Sequence, residues 1–193
     1  ATSGRNAMSD LARYSIPVLQ PSPDVNAALH AFIGMYALPA LPPRAIFAGY
    51  QNRVALPCGS NEFAVYNVTQ RIRIGTNVEE FVAGAEPSDP GEGAGVPDHT
   101  LTTTLYRIPA RIDLYSDTDA AFHRASALEV VSRSPAGVQF FQERGLSLLY
   151  ADTPQDTTVV LDAEQFVPRW SITVHLSCCV RVAIALQGFD VVS

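Results

Sequence analysis

The feature that most constrains the fold is a long alternating segment near the end of the sequence. Across residues 169–186, apolar side chains alternate with polar or small ones, which is the pattern of a strand with one buried face. Eighteen extended residues would span roughly 60 Å, several times the usual strand length. The segment therefore predicts either a strand that bends or bulges near Cys178 and Cys179, or one that projects beyond its own domain.

A second unusual feature is an interior stretch between two other strand patterns. Residues 62–74, which alternate in their second half, and residues 100–114 are predicted strands, whereas residues 76–99 between them are rich in glycine, proline and acidic residues. So long a segment without periodicity is uncommon inside a compact domain. Because it joins two strands, we predict an extended hairpin arm. Pro109 cannot donate a ladder hydrogen bond, so the second strand is expected at a sheet edge or bulged at that residue.

Helical periodicity occurs in two places. The first helix is predicted to begin with Ser22 as its N-cap and Pro23 in its first turn. The second is predicted to be capped by Ser116 or Asp117 and to end near Ser134. The apolar stripes of the two helices are Val25, Leu29, Phe32, Ile33 and Tyr36 in the first, and Ala121, Phe122, Ala125, Leu128 and Val131 in the second.

These elements together predict the α+β class: a mainly antiparallel sheet flanked by two main helices, with a long β-hairpin arm and a long C-terminal strand. Residues 1–20 are small, polar and aperiodic, and we expect them to form an N-terminal arm. Residues 21–193 are expected to form a single domain, because one core can grow to roughly 250 residues. Shorter elements are predicted as strands at 45–50, 146–151 and 157–161 and as a helical turn at 138–144.

Composition excludes several functional classes. A net charge of −6 opposes dedicated nucleic-acid binding, which depends on basic patches. All thirteen basic residues are arginine, so neither a phosphate-loop lysine nor Schiff-base chemistry is available. No apolar run reaches the length of about 18 residues that indicates a membrane span. The three cysteines are odd in number and include an adjacent pair, which favours a reducing compartment over a disulfide framework.

Candidate chemical motifs are each better explained structurally. Gly91, Gly93 and Gly95 lie among prolines, without the strand and helix that a phosphate loop requires. The histidines and cysteines lack the close pairing of zinc ligands. Asp117 and Asp119 suit the start of a helix, and no serine lies in a GxSxG motif. We therefore predict no catalytic residue, no cofactor site and no metal site.

One passage, residues 110–121, joins a strand pattern to a helix pattern through the sequence Asp113-Leu-Tyr115-Ser116. It resembles the phage neck or tail terminator family, in which a strand ending in an Asp-x-Tyr-Gly turn leads into an alanine-rich helix. Asp113 and Tyr115 match that pattern, and Ser116 replaces the glycine. The resemblance extends over residues 45–192, with further strands similar to those of the family at 71–75, 145–150 and 166–174.

The resemblance implies a structural virion protein and not an enzyme. In that family the protein forms a ring, usually a hexamer, that caps the tail tube at the phage neck and joins it to the head connector. The implied partners are further copies of the chain, a tail tube protein, a head–tail connector protein and a sheath or collar protein. DNA would pass through the lumen without specific binding, and no membrane is involved. The implied location is the virion, after synthesis in the host cytoplasm.

Several features of the sequence suit that role. Six copies carrying −6 each would total −36, which suits a channel through which DNA slides. We expect the hairpin arm and the C-terminal strand to carry subunit contacts, because exposed strand edges pair with neighbouring chains. Arginine forks would bind carboxylates there. The candidate interface residues are Arg71, Arg73, Glu79, Glu80, Arg107, Arg111, Trp170 and Arg181.

Two alternatives to a tail terminator remain open. Another head–tail connector, stopper or minor tail protein would share the acidity, the arms and the lack of catalytic motifs. A small-ligand-binding α+β module or enzyme would need a pocket with converging polar groups, and the sequence nominates none.

Overall fold

The computed structural model describes residues 22–37, 45–49, 62–84, 98–116, 118–161 and 165–185. Within these ranges the helices are α1 Val25–Tyr36, α2 Ala120–Ser132 and α3 Pro135–Gln142. The strands are β1 Ile46–Ala48, β2 Phe63–Val68, β3 Ile72–Val82, β4 His99–Tyr115, β5 Ser147–Ala151, β6 Gln155–Asp156, β7 Val159–Leu161, β8 Gln165–Val167 and β9 Arg169–Ala185. The predicted N-terminal arm, the glycines at 91, 93 and 95, Cys58 and Asp117 lie outside the described residues.

Seven of the strands form one mixed, mostly antiparallel sheet. Its central order is β1-β2-β4-β9-β5, with β3 paired to β4 and β6 paired to β9. Strand β1 is parallel to β2, whereas β2–β4, β5–β9 and β6–β9 are antiparallel. Strands β7 and β8 form a separate antiparallel pair. The predicted α+β class with a mainly antiparallel sheet is therefore confirmed.

Helix α1 carries the predicted apolar stripe but begins later than expected. Its N-cap is Asp24, whose carboxylate accepts a hydrogen bond of 3.0 Å from the backbone N–H of Ala27. Aspartate caps as well as serine does, and Asp24 leaves Ser22 outside the helix. Of the predicted stripe, Tyr36 is only partly buried and the other four residues are fully inside the core: Val25, Leu29, Phe32 and Ile33.

Helix α2 also begins later than the sequence indicated. Its N-cap position is Asp119, whose side chain makes no capping hydrogen bond, so the expected cap at Ser116 is wrong. The Ser116 hydroxyl instead accepts a hydrogen bond from the backbone N–H of Thr118, before the helix starts. Phe122 was expected in the buried stripe but is 41% exposed, because it lies at the margin of the core against Trp170.

The predicted helical turn at 138–144 is the longer helix α3. Ser134 is its N-cap and accepts a hydrogen bond from the backbone N–H of Gly137, with Pro135 in the first turn. A proline that ends one helix pattern can begin the next, because its fixed φ suits the first helical position. The three helices and one face of β4 and β9 contribute to a single buried cluster.

Two strand predictions need correction. The expected strand over 62–74 is two strands, because the chain leaves the β conformation at 69–71 and resumes as β3 through Val82. The edge position expected for the strand with Pro109 is also wrong, since β4 lies between β2 and β9. The pairing of β2 with β4 ends at Val68 and Ala110. Pro109 therefore lies just beyond the β2 ladder, and the N–H group that it lacks is not needed by any residue of β2.

The hairpin predicted between β3 and β4 forms in the described residues. The Thr104 hydroxyl donates to Asn77 Oδ1 at 2.7 Å, and the Gly84 N–H donates to Asp98 Oδ1 at 2.7 Å. The residue numbers increase from Asn77 to Gly84 on one side of these contacts and decrease from Thr104 to Asp98 on the other, so β3 and β4 are antiparallel. The hairpin arm expected at 76–99 thus has paired strands on both sides of residues 85–97, which lie outside the described part.

The chain divides into two compact units. The sheet unit comprises Pro23–Arg73 and Tyr106–Cys178, and the hairpin unit comprises Ala1–Ser22, Ile74–Leu105 and Cys179–Ser193. Strand β9 changes unit between Cys178, which is buried, and Cys179, which is exposed. Strand β9 is continuous across this pair, and the bend, bulge or projecting strand expected there stays a prediction. The single domain expected at 21–193 stays a prediction. Among the helices in the described ranges, none combines the length and apolar character of a membrane span.

Candidate functional site

The sheet unit has one apolar sheet face and one polar sheet face. Even-numbered residues of β4 and β9 lie in the buried cluster, among them Ile108, Ile112, Ile172 and Leu176. Successive side chains of a strand point to opposite faces, so the odd-numbered residues lie on the other face. We call this the polar sheet face; its polar residues on the two strands are Arg107, Arg111, Asp113, Tyr115, Arg169, Ser171, Thr173, His175 and Ser177.

Asp113 is the centre of a hydrogen-bonded network on the polar sheet face. Its side chain is 5% exposed and accepts from Arg111 Nε at 2.9 Å and from Arg169 Nη2 at 2.8 Å. The Ser171 hydroxyl donates to the same carboxylate, accepts from Arg111 Nη2 at 3.0 Å and contacts the Thr157 hydroxyl at 2.6 Å. A buried carboxylate requires such charge-assisted partners. The network therefore fixes β4 against β9. The two strands are antiparallel, because Arg111 contacts Ser171 whereas Asp113, further along β4, contacts Arg169, which comes earlier on β9.

Tyr115 extends the network to β2. Its ring stacks on Phe63 with centroids 4.3 Å apart, and the guanidinium carbon of Arg169 lies 5.6 Å from the Tyr115 centroid. Burial raises the pKa of Tyr115, an effect that the charge of Arg169 opposes. Asp113 and Tyr115, the two residues of the Asp-x-Tyr motif, thus hold the end of β4 in place through Arg169.

Ser116, which replaces the glycine of that motif, is buried beside a second ion pair. Its hydroxyl donates to Glu62 Oε1 at 3.4 Å, and Arg124 Nη2 donates to Glu62 Oε2 at 2.7 Å. The hydrogen bond from Arg124 lowers the pKa of Glu62. A serine at this position therefore connects the end of β4 to the segment before β2 and to helix α2.

A polar pocket of about 130 Å³ opens beside the Asp113 network. Arg111, Thr157 and Ser171 belong both to the pocket lining and to the network. The rest of the lining consists of Asp152, Thr153, Gln155 and Thr173. Asp152 Oδ2 lies 3.2 Å from His175 Nε2, and the His175 ring stacks on Tyr150. All seven lining residues have polar side chains, so the pocket offers hydrogen-bonding partners to a small polar or charged group.

Five of the predicted interface residues belong to the sheet unit. Arg107 and Arg111 share the polar sheet face, and Arg111 is already paired within its own chain. Arg71 and Arg73 are exposed at the start of β3. Trp170 lies on the opposite sheet face, half-buried, with its ring 4.8 Å from that of Phe122.

The other three predicted interface residues belong to the hairpin unit. Glu79 and Glu80 are both exposed and, as consecutive residues of β3, point to opposite faces. Arg181 is exposed on β9. The structure also exposes apolar side chains here that the sequence analysis did not select: Ile74, Val78, Phe81, Leu105 and Ile184. In the sequence, apolar residues interleaved with acidic ones inside the predicted arm were the signal that could have indicated these exposed side chains.

The Asp113 network is not apparent from the sequence pattern alone. Asp113 and Arg111 occupy polar positions of an alternating strand, which by itself predicts contact with water. Their partners Arg169 and Ser171 are nearly sixty residues away in the sequence, and only the strand order brings them together. For metal ligands, the described ranges contain no group of three or more His, Cys, Asp or Glu residues that could hold an ion.

Comparison with known proteins identifies the family. No curated protein matches the chain. The family model described as phage neck terminator protein matches residues 24–193, which include every helix and strand named above. The match includes Asp113, Tyr115 and the strands that the sequence analysis compared with that family. Because it covers most of the sequence, the chain belongs to the phage neck terminator family, a family of structural proteins of the phage neck.

Proposed function

We propose that copies of this chain form a hexameric ring that caps the tail tube and joins it to the head connector. Membership of the neck terminator family supports a structural role among the head and tail components of the virion. The observation that carries the ring proposal is the exposed apolar surface of the hairpin unit. Apolar side chains grouped at a surface mark sites of protein–protein contact.

The exposed residues of β3 support contacts on both faces of the hairpin. Val78 is 66% exposed and shares its face with Glu80, whereas Phe81 is 61% exposed and shares the opposite face with Glu79. A strand that packs against a core buries one of its two faces, whereas both faces of β3 are exposed over residues 73–81. Apolar groups flanked by charges on both faces suit an arm that enters between neighbouring subunits.

The predicted charged residues extend this proposal. Arg71, Arg73 and Arg181 would bind carboxylates of adjacent subunits, because a guanidinium pairs with a carboxylate through two parallel hydrogen bonds. The polar sheet face would contribute Arg107 and Arg111. The half-buried Trp170, whose ring packs at an inclined angle against the exposed Phe122, offers an aromatic contact to a tail or connector protein.

The charge of the chain supports DNA passage through the ring. Proteins that bind DNA release counterions through basic groups, and this chain has an excess of acidic residues. A ring of such subunits would repel the phosphate backbone and let it slide. We propose that the chain carries out this task without catalysis, cofactor or metal.

The ring proposal is tested on the purified full chain by light scattering and electron microscopy, with and without the tail tube protein. We expect rings in at least one condition. Val78→Ser and Phe81→Ser should weaken assembly, whereas Val130→Ser is the matched control on α2, where Val130 is 67% exposed. A strictly monomeric chain under both conditions would refute the ring. Equal assembly of all three variants would refute the role of the hairpin.

A tail terminator and another connector or stopper of the neck differ in position. We expect an image of the assembled neck to show this chain in contact with the end of the tail tube. Its location solely between the portal and another connector ring would favour the alternative.

A further inference from the structure

The guanidinium of Arg111 is held in a fixed orientation at the wall of the polar pocket. Its Nε donates to Asp113 and its Nη2 donates to Ser171. A guanidinium has five N–H donors, so three remain after these two hydrogen bonds. Among the residues that the structure describes, Arg111 has no further hydrogen-bond partner. The side chain is 42% exposed, which leaves the remaining donors accessible from the pocket.

The accessible donors of Arg111 favour an anion directly beside that guanidinium. Asp113 is shared by Arg111 and Arg169, so these three side chains together carry one net positive charge, which Asp152 elsewhere in the lining offsets. The adjoining lining also holds neutral groups that can donate hydrogen bonds, namely the hydroxyls of Thr153 and Thr173 and the amide of Gln155. A held arginine beside neutral donors matches the oxygens of a carboxylate.

We propose that this pocket binds the carboxylate side chain of an aspartate or glutamate from a second copy of the chain. The proposal rests on the proposed ring and names one of its contacts. Nineteen acidic residues against thirteen arginines mean that every copy offers carboxylates in excess of its own cations. The bound carboxylate would receive two hydrogen bonds from Arg111 and one from a hydroxyl or amide of the lining.

Pocket size and charge favour a side-chain carboxylate over a DNA phosphate. A cavity of roughly 150 Å³ holds a benzene molecule, so 130 Å³ has room for a carboxyl group on a two-carbon stem. Asp152 at the lining is 48% exposed and, with the net charge of −6, repels a polyanion. That repulsion grows with the charge of the occupant, so it is weaker for a single carboxylate than for a chain of phosphates.

The pocket itself is tested with a small probe and does not depend on ring formation. N-acetylglutamate N-methylamide is titrated into the protein while the Arg111 Nε–H signal is followed by NMR, with the glutamine counterpart as the neutral control. We expect a saturable shift with the glutamate probe alone. Equal responses to the two probes, or tighter binding of inorganic phosphate than of the glutamate probe, would overturn the carboxylate assignment.

The matched variants leave the partners of Asp113 intact. Gln155→Glu places a negative charge in the pocket lining and should weaken binding of the probe about tenfold, the worth of one charge-assisted hydrogen bond. Gln142→Glu makes the same change at an exposed position on α3, outside the pocket lining, and should bind the probe as the wild type does. Circular dichroism checks that both variants are folded. Equal affinities of the two variants would overturn the proposal.

The second arm identifies the source of the carboxylate. Sedimentation of the same two variants should show self-association of Gln155→Glu weakened about tenfold, and that of Gln142→Glu unchanged. Probe binding that responds to Gln155→Glu while self-association does not would exclude a second copy as the source. A wild-type chain that never self-associates would refute both the ring and the second-copy source, whereas the titration would still decide whether the pocket binds a carboxylate.

Discussion

Replacement of Asp113 by asparagine should destabilise the sheet unit strongly although the two side chains have nearly the same shape. The carboxylate is almost fully buried and accepts hydrogen bonds from two guanidinium groups and one hydroxyl. Asparagine offers one acceptor oxygen and presents an NH₂ group to partners that are themselves donors. Arg111 and Arg169 would then face each other across the site without the anion that separates them.

The magnitude follows from the exposure of the partners. Removing one member of a buried ion pair costs about 3–5 kcal/mol, because it leaves an uncompensated charge. The Arg169 side chain is 20% exposed, so it can recover little hydration, whereas the Arg111 side chain is 42% exposed and can recover more. We therefore expect the lower end of the range, about 3 kcal/mol off the free energy of unfolding.

Urea denaturation measures this loss directly. Trp170 is the single tryptophan and lies on β9 next to Arg169, so its fluorescence reports on the affected strand pair, and circular dichroism at 222 nm reports on the helices. Coincident transitions with the two probes justify a two-state treatment. Asp119→Asn is the matched control, since Asp119 is exposed and makes no side-chain capping bond, and its effect should stay within about 0.5 kcal/mol. A loss below about 1 kcal/mol for Asp113→Asn would refute the reasoning from the buried charge.

Three further predictions concern pH and packing. Burial raises the pKa of Tyr115 above 10, so the free energy of unfolding of the wild type should decline as the pH rises through the pKa of the folded state, and Tyr115→Phe should lessen that decline. Curves of unfolding free energy against alkaline pH that run parallel for wild type and variant would contradict this. Arg124 lowers the pKa of Glu62 below 4.5, so the ion pair stabilises the fold above pH 4.5 and is lost as the pH falls through the pKa of the folded state. By urea denaturation, Glu62→Gln should therefore reduce the free energy of unfolding by less than about 1 kcal/mol at pH 7 and by nothing near pH 2. A difference between wild type and variant that stays the same at both pH values would show that charge is not the cause. Gly137→Ala places a methyl group against the carbonyl oxygen of Val131 and should cost about 2 kcal/mol, so an unchanged urea midpoint would exclude that close approach.

The sequence predicted the elements better than their ends. Apolar periodicity located α1, α2, β4 and β9, because burial on one face is a pattern that the sequence itself carries. Helix starts were missed because Ser22, Asp24, Ser116 and several neighbours can all cap, and tertiary packing decides among them. Strand order was missed at Pro109 because the ladder beside that residue ends at Ala110, and a single strand pattern contains no information about its partners.

The candidate site was predictable only in part. Asp113 and Tyr115 were selected by the family motif, but the motif does not show that the carboxylate binds two arginines. Arg169 and Ser171 reach Asp113 through the pairing of β4 and β9, a contact between residues more than fifty positions apart. Long-range polar contacts of this kind follow from topology, and local periodicity treats their members as solvent-exposed.

The use of arginine in place of lysine has a physical reason at three of four paired positions of the sheet unit. Arg111 donates to a carboxylate and a hydroxyl at once, and Arg169 binds the same carboxylate while it lies beside the Tyr115 ring. Arg144 donates to the carbonyl oxygen of Phe140 with its guanidinium over that ring. Arg124 pairs with Glu62 from helix α2. A planar, delocalised cation can bind in its plane and stack on its face, whereas an ammonium group is a hydrated point charge that does one or the other. Arg111, Arg169 and Arg144 therefore make paired or stacked contacts that a lysine at the same position would not reproduce.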